Sequence, residues 1–235
     1  MAAPKKPQDK QKASDSGKYV YGVFSAHVTA NVDPKHLGRI KIKLPWPLDS
    51  RKNSHEAWAR LTTFMAGANR GSWFIPEVGD EVLIAFEAGD PQQPYVLGSM
   101  WNGSAKTPET MDKSGNNSTK SIRSRNGVKI TLEDTNGQES ITLETPGGQQ
   151  FSLKDGPGHI EMTDSNGNSV SLEPSGITIT TSTRVTVNAA VVEIDSGMVN
   201  INAGISKFSG VVQADTVITN SVISNSYTPG VGNLW

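Results

Sequence analysis

The chain has 235 residues, a formal net charge of −1 at pH 7 and no cysteine. Its length allows one large domain or two small ones, and its charge excludes the global basic field that attracts nucleic acid or anionic membranes. The lack of cysteine excludes disulfides and thiolate chemistry, so a zinc site would need histidine and carboxylate ligands alone.

The N-terminal segment, residues 1–18, is polar and rich in Lys, Pro and Ser, which predicts a flexible tail. It lacks the apolar stretch of a signal peptide, and no apolar run in the chain approaches the roughly 20 residues that cross a bilayer. We therefore expect retention in the cytoplasm, or export by a route that does not read a signal peptide.

Residues 19–105 predict a small all-β domain. In "RIKIKL", residues 39–44, basic and apolar residues alternate with a period of two, which is typical of a strand with one buried face. Further short strands are predicted over 81–86 and 95–100, separated by Gly, Pro and Asp turns. Five such strands without a helix indicate a Greek-key barrel, of which the five-stranded OB-fold is the commonest form.

The composition changes between the two halves of the chain. Residues 1–120 carry a net charge of +4 and eleven of the fifteen aromatic residues, whereas residues 121–235 carry −5. Such a shift marks a domain boundary. The Ser-, Thr- and Asn-rich segment 106–122 predicts a linker.

Residues 123–224 repeat one short pattern, in which a glycine turn is followed by a polar/apolar alternation. The glycines at 127, 137, 147, 158, 167 and 176 are nine to eleven residues apart, and such spacing indicates a quasi-one-dimensional structure. Each strand offers two or three apolar side chains, so a lone ribbon would leave its seam and its edges uncovered. The repeat therefore favours three identical chains wound around one axis as an intertwined trimeric β-helix.

In this homotrimer the apolar residues of the alternation point inward. The predicted trimer core consists of Val128, Ile130, Leu132, Ile141, Leu143, Phe151, Leu153, Ile160, Met162, Val170, Leu172, Ile177, Ile179, Val185, Val187, Val192, Ile194, Val199 and Ile201. The rival is a single-chain β-solenoid, but its rungs usually need about twenty or more residues, twice the unit found here.

The C-terminal segment, residues 225–235, is interpreted as the tip of the stalk, because the residues before it are small enough for a taper. Leu234 and Trp235 either close the tip or dock a capping protein. The alternative is a last rung with a frayed end, and the sequence leaves both open.

No pattern in the sequence predicts catalysis, a cofactor or a metal site. The carboxylates between residues 77 and 90 lie in turns, where acids favour local backbone hydrogen bonds, and no nucleophile motif or phosphate loop is present. The four histidines are not spaced as ligands, and His159 is interpreted as a turn residue. We expect a protein that is not an enzyme.

Within residues 19–103 the sequence resembles one family closely. Asp33–Pro34 stands ahead of Gly38–Arg39, and Ala59–Arg60 follows; the remaining matching residues are Pro76, Gly79, Glu81, Val82, Phe86, Gly89, Asp90, Pro94, Gly98, Asn102 and Gly103. This set resembles the OB domain of phage baseplate assembly protein V and of VgrG proteins, the spikes of contractile injection systems. Those spikes place an intertwined trimeric β-helix after the OB domain.

The resemblance implies a structural central spike, the membrane-puncturing needle of a phage tail or related injection machine. It implies a particle assembled in the bacterial cytoplasm, a separate baseplate hub protein at the barrel, and a PAAR-type protein at the tip. The target cell envelope is met transiently. The basic residues Arg39, Lys41 and Lys43 are the expected hub contact, and the linker is too short for the lysozyme domain that some relatives carry.

Two other functions stay open at this point. One is a trimeric receptor-binding or polysaccharide-binding tailspike, against which the four aromatic residues after residue 120 argue. The other is a single-strand-binding OB protein, in which the basic face near Trp46 would form the groove. A barrel charge of only +4 argues against nucleic acid.

Overall fold

The computed structural model describes residues 19–48 and 54–226. The predicted tail (1–18) and the predicted tip residues Leu234 and Trp235 lie outside the described residues. Within these two ranges the structure is all-β apart from one short 3-10 turn at Glu87–Gly89. Among the described residues, no helix has the length and hydropathy to cross a membrane.

The first seven strands include the predicted barrel. They are β1 (Val23–Ala30), β2 (Ile40–Lys43), β3 (Glu56–Leu61), β4 (Ala66–Gly67), β5 (Arg70–Gly71), β6 (Glu81–Phe86) and β7 (Pro94–Met100). Five of them close into a barrel in the order β1-β2-β3-β7-β6. All pairs are antiparallel except β3 with β7, and β4 and β5 form a separate two-stranded hairpin. The prediction of a five-stranded OB-like barrel is confirmed.

The barrel has a core of its own. Ile40, Ile42 and Leu44 are fully buried, as their alternation with basic residues predicts, and they pack with apolar side chains of the other strands. Every buried apolar residue among those the structure describes lies in this domain: Ala26, Val28, Ile40, Ile42, Leu44, Ala59, Val82, Ile84, Phe86 and Val96.

Seven further strands form a second sheet. They are β8 (Thr119–Arg123), β9 (Lys129–Glu133), β10 (Ser140–Glu144), β11 (Gln150–Lys154), β12 (His159–Thr163), β13 (Ser169–Glu173) and β14 (Gly176–Thr180). Each strand pairs with the next in an antiparallel meander, so the spatial order equals the sequence order. Since β8 begins at Thr119, the sheet starts inside the segment 106–122 that the sequence predicts as a linker.

The turns between these strands are short and contain glycine with positive φ, for example +90° at Gly127 and +74° at Gly137. Such a conformation is easy for glycine and costly for most other residues. In the third turn Gly148, rather than the predicted Gly147, has the positive φ. These turns let each strand fold back on its own chain. Strands β8 to β14 therefore pair within one chain, and the expected sharing of strands between copies does not apply to 119–180.

Residues 185–226 form a separate unit of a different kind. No strand is assigned in this described part, and the backbone bends at residues 190, 197, 204, 209–210, 215, 220 and 225. The distance between bends falls from seven residues to five along the chain. The segment thus consists of straight stretches that shorten toward the C-terminus.

Candidate interaction surface

The surface that distinguishes this chain is one face of the sheet β8–β14. In a strand, residues two apart point to the same side. The register carries this parity across all seven strands, because Ile130 is opposite Leu143, and Leu143 is opposite Phe151. The twelve predicted core residues of β9 to β14, two from each of six strands, therefore share one face.

These side chains form two continuous cross-strand rows. The first row is Ile122, Ile130, Leu143, Phe151, Met162, Val170 and Ile179. The second row is Leu132, Ile141, Leu153, Ile160, Leu172 and Ile177. Sequence reasoning missed Ile122, because its strand "TKSIR" contains a single apolar residue and shows no alternation.

Nothing in the described part of the chain buries this face. Ten of its side chains are exposed, from 36% at Leu172 to 71% at Ile177. The other three, Ile130, Phe151 and Val170, are half-buried. An apolar surface of this length is unusual on a monomer and marks a site of protein association. We refer to it below as the apolar face.

The opposite side of the sheet, the polar face, is built differently. Its central row consists of Ser121, Thr131, Thr142, Ser152, Glu161, Ser171 and Thr178. Ser152 in this row is buried, five of the others are half-buried and Thr178 is exposed. Hydroxyl and carboxylate groups nevertheless suit a solvated surface better than apolar side chains do, so this side suits the outside of an assembly. The contrast between the faces fixes which one must be covered.

The polar face is partly covered by residues of the predicted linker. Glu109 Oε1 lies 2.8 Å from Lys129 Nζ, and the lysine side chain is largely buried. The contact with Lys129 is the main cause that lowers the pKa of Glu109. Part of the segment 106–122 is therefore packed on β8 and β9, and linker composition did not reveal this contact.

The predicted core residues beyond β14 lie in the bending segment. Val185, Val187 and Val199 are all exposed, as are Val192, Ile194 and Ile201. Among the described residues, no backbone–backbone hydrogen bond is formed in 185–226. Backbone N–H and C=O groups in a folded protein require partners, so this segment also needs groups from outside its own chain.

The basic residues predicted as the hub contact are placed on or beside β2, and two of them are paired within the chain. Arg39 Nη2 lies 2.7 Å from Asp33 Oδ1, and Lys41 Nζ lies 2.8 Å from Glu56 Oε2. Lys43 forms no ion pair among the described residues. Two of the three residues are therefore paired within the chain, and their contact with a hub protein stays a prediction.

Asp33 is a residue whose role sequence reasoning missed. Its carboxylate accepts hydrogen bonds from the backbone N–H groups of Lys35, Leu37 and Arg39 and from two guanidinium nitrogens of Arg39. The guanidinium hydrogen bond is the main cause that holds the pKa of Asp33 well below its usual range. An Asp-Pro followed by Gly-Arg at this spacing is the signal for such a self-bonded loop.

A second exposed apolar surface lies on the barrel, around the β4–β5 hairpin. Phe64 is 88% exposed, Trp73 and Phe74 are also exposed, and Trp73 packs against Gly38. No periodic pattern in the sequence marks this surface, because these residues follow neither strand nor helix spacing.

No three His, Asp or Glu side chains are grouped as metal ligands in the described ranges. His159, interpreted from the sequence as a turn residue, is instead the first residue of β12 on the polar face. Its ring nitrogens lie 3.2 Å from Glu161 and 3.3 Å from Glu173.

Comparison with known protein families finds two matches along the chain. Residues 24–101 match the "Type VI secretion system/phage-baseplate injector OB domain", and residues 140–205 match the "Phage baseplate V C-terminal trimerisation domain". The first match covers the closed barrel. The second extends from β10 through the apolar face and into the bending segment.

Curated relatives of this chain include proteins named as spike proteins and one named as a toxin. The chain is 30% identical over 129 residues to the type VI secretion system spike protein VgrG1c of Pseudomonas aeruginosa, which covers 52% of this chain and 18% of the relative. It is 30% identical over 112 residues to the type VI secretion system spike protein VgrG3 of Vibrio cholerae, a match that covers 46% of this chain and 11% of the relative. It is 31% identical over 110 residues to the actin cross-linking toxin VgrG1 of Vibrio cholerae (45% and 10%).

The chain spans less than a fifth of the length of these relatives. The two family matches nevertheless cover more than half of the chain, in the order barrel then trimerisation domain. Residues 24–101 therefore belong to the type VI secretion and phage-baseplate injector OB-domain family, and residues 140–205 belong to the phage baseplate V C-terminal trimerisation family.

Proposed function

We propose that this chain is the structural central spike of a contractile phage tail or related contractile injection system, and that it works as a homotrimer. The observation that carries the proposal is the uncovered apolar face, of which the strands β10 to β14 lie within the region that matches a trimerisation domain. Three copies with their apolar faces turned to one axis would cover all of them at once. The relatives named as spike proteins support the role.

The mechanism we propose is mechanical. Contraction drives the trimer point-first through the target cell envelope, so the stalk must resist axial load without opening. An assembly with every strand paired leaves no edge from which peeling can begin. With its apolar rows inside and hydroxyl and charged groups outside, the stalk would not adhere to lipid.

Residues 185–226 would supply the intertwined part of the spike. A straight stretch between two bends would form one side of the trimer and pair with stretches from the other two copies, which supplies the missing hydrogen-bond partners. Because the stretches shorten from seven residues to five, the trimer would narrow along this segment. This supports the proposed domain order, with the stalk over 123–224 and the tip at 225–235.

The proposal includes no catalysis. The relatives that are named as spike proteins match about half of this chain, over 129 and 112 residues. The relative named as an actin cross-linking toxin is matched over 10% of its length, and that activity is not proposed here.

Two partners belong to the proposal as its finer part. We propose a separate hub protein at the barrel and a PAAR-type protein at the tip, where Leu234 and Trp235 would make the contact. Among the described residues Lys43 is the one member of the predicted hub contact without an ion pair, so Lys43→Glu should weaken co-purification with the hub protein of the same particle. Unchanged co-purification would remove this contact from the proposal.

The native mass of the purified full-length protein tests the central claim. Light scattering after size-exclusion chromatography should give three times the chain mass, 25.1 kDa, at every concentration in the micromolar range. A monomer would overturn the proposed function. Measurable binding or cleavage of a polysaccharide by the intact trimer would instead favour the tailspike alternative.

A further inference from the structure

The turns of the sheet β8–β14 lie along two opposite edges. The Pro146 ring packs against Gly127, and Ser165 packs against Gly148, so these turns stack on one another. We call this the first edge; its turns are 124–128, 145–149 and 164–168. The turns on the second edge are 134–139, 155–158 and 174–175.

The two edges carry opposite charges near the start of the sheet. On the first edge, Arg123 is the last residue of β8 and Arg125 lies in the β8–β9 turn. On the second edge, Glu133 is the last residue of β9 and Glu139 lies in the β9–β10 turn. The neighbouring Lys129 and Asp134 are already paired within the chain, with Glu109 and Lys120 respectively.

None of these four groups is neutralised by a buried partner. Among the described residues, Arg123, Glu133 and Glu139 form no ion pair. Glu133 accepts hydrogen bonds from the uncharged side chains of Thr119 and Thr135. Arg125 contacts Glu77 at 3.1 Å through one nitrogen and is 71% exposed, so most of its five N–H donors remain free.

The size of the sheet decides how the three copies fit together. Five-residue strands are about 17 Å long, and seven strands side by side are about 30 Å wide. In a triangular prism the distance from a face to the axis is about 0.29 of the side of the triangle. If the strand length forms this side, the distance is about 5 Å; if the sheet width forms it, the distance is about 9 Å. Packed sheets lie about 10 Å apart, so one layer of side chains spans about 5 Å. The strands must therefore run across the axis.

With the strands across the axis, the turns form the corners of the prism. A three-fold ring is head-to-tail, so the first edge of each copy meets the second edge of the next. The β8–β9 and β9–β10 turns differ in height by one strand spacing, about 4.8 Å. A long arginine side chain spans such a step.

We propose that Arg123 and Arg125 of one copy pair with Glu133 and Glu139 of the next copy at each corner of the prism. This inference rests on the proposed homotrimer and adds the direction and the residues of the contact. The apolar face alone tolerates sliding of the sheets along the axis, whereas a corner charge pair near one end fixes their relative height.

Cross-linking tests the contact directly, because the chain has no cysteine of its own. An arginine–glutamate pair holds its backbones farther apart than a disulfide allows, so a short bismaleimide reagent is the probe. The full-length Arg125→Cys, Glu139→Cys protein should give a covalent band at three times the chain mass on a denaturing gel.

Two controls use the same bismaleimide reagent on variants of the same full-length protein. Each single variant should give no trimer band, since a head-to-tail contact does not bring equal residues together. The variant Arg125→Cys, Gln149→Cys places both thiols on the first edge and should give no chain-to-chain band. A trimeric native mass without cross-linking of the first pair would overturn this inference alone; a monomeric wild-type protein would overturn the proposed function as well.

Charge reversal tests the electrostatic nature of the contact. Glu139→Arg should lower the temperature at which the trimer dissociates in detergent, and Arg125→Glu combined with it should restore most of the loss. A double variant no better than the single one would show that the two residues do not pair.

Discussion

Asp33 shows how a single buried carboxylate can organise a loop that composition describes only as a turn. Five hydrogen bonds converge on its two oxygens, and Arg39, which supplies three of them, also lies over the Trp58 ring at 5.6 Å. Charge-assisted bonds of this kind are the strong ones. The loop between β1 and β2 is thus fixed to the outside of the barrel by one residue.

We expect Asp33→Asn to lower the thermal midpoint of the barrel by several degrees at neutral pH. The folded pKa of Asp33 lies below its unfolded value of about 3.9, so the carboxylate stabilises the barrel above that pH. This contribution disappears as the pH falls toward the folded pKa. The wild-type midpoint should therefore fall more steeply on acidification than that of the variant, as followed by tryptophan fluorescence.

Glu56→Gln is the matched control for that experiment. Lys41 lowers the pKa of Glu56 mainly through a hydrogen bond, but both side chains are more than a third exposed, and exposed pairs contribute little. Its midpoint should stay close to the wild type. An equal effect of the two substitutions would mean that Asp33 is not the group that holds the loop.

At the scale of elements, a period of two determines which side chains share a face but not which strand is the neighbour. The alternation predicted the buried side of β2 correctly, and the twelve predicted core residues of β9 to β14 share one face; their place inside a trimer stays a prediction. Whether those strands pair within the chain or between copies depends on turn geometry, for example on Gly148 rather than Gly147. The apolar pattern does not predict which of these two pairings occurs.

The same limit explains the other differences. The linker composition of 106–122 hid both β8 and the Glu109 contact with Lys129, because a strand with one apolar residue and a polar strap have no periodic signal. The predicted hub contact counted three basic residues without the carboxylates that approach two of them from β3 and the preceding loop. Contacts between segments distant in sequence were the part that one sequence could not supply.

The apolar face gives a prediction at this scale. Leu153 lies at the centre of the second row, so Leu153→Asp would place three carboxylates near the trimer axis. An unpaired buried charge costs several kcal/mol, and we expect the native mass to fall from trimer to monomer. The barrel should remain folded, as reported by the four tryptophans between residues 46 and 101.

Gln150→Asp is the matched control, because Gln150 lies on the same strand, is exposed and points to the polar face. It introduces the same charge and should leave the trimer intact. Loss of the trimer in both variants, or in neither, would contradict the assignment of the two faces.

At the scale of the whole molecule, the chain divides its stability unequally. All of its buried apolar residues among the described ones belong to the barrel, whereas the sheet and the bending segment expose theirs. The barrel therefore has what a domain needs to fold by itself, whereas in the proposed trimer the apolar residues of the other two regions would be covered by other copies.

This division predicts two unfolding transitions with different concentration dependence. The barrel transition, followed by tryptophan fluorescence, should not move when the protein concentration is raised. The stalk transition, followed by calorimetry, should move upward, because three chains separate when it unfolds. For a trimer a tenfold rise in concentration adds about 2.7 kcal/mol per trimer by mass action. The Leu153→Asp protein should lack the second transition and keep the first. Two transitions that both ignore concentration in a reversible experiment would mean that the stalk is stable within one chain, and the covering of the apolar face by other copies would have to be abandoned.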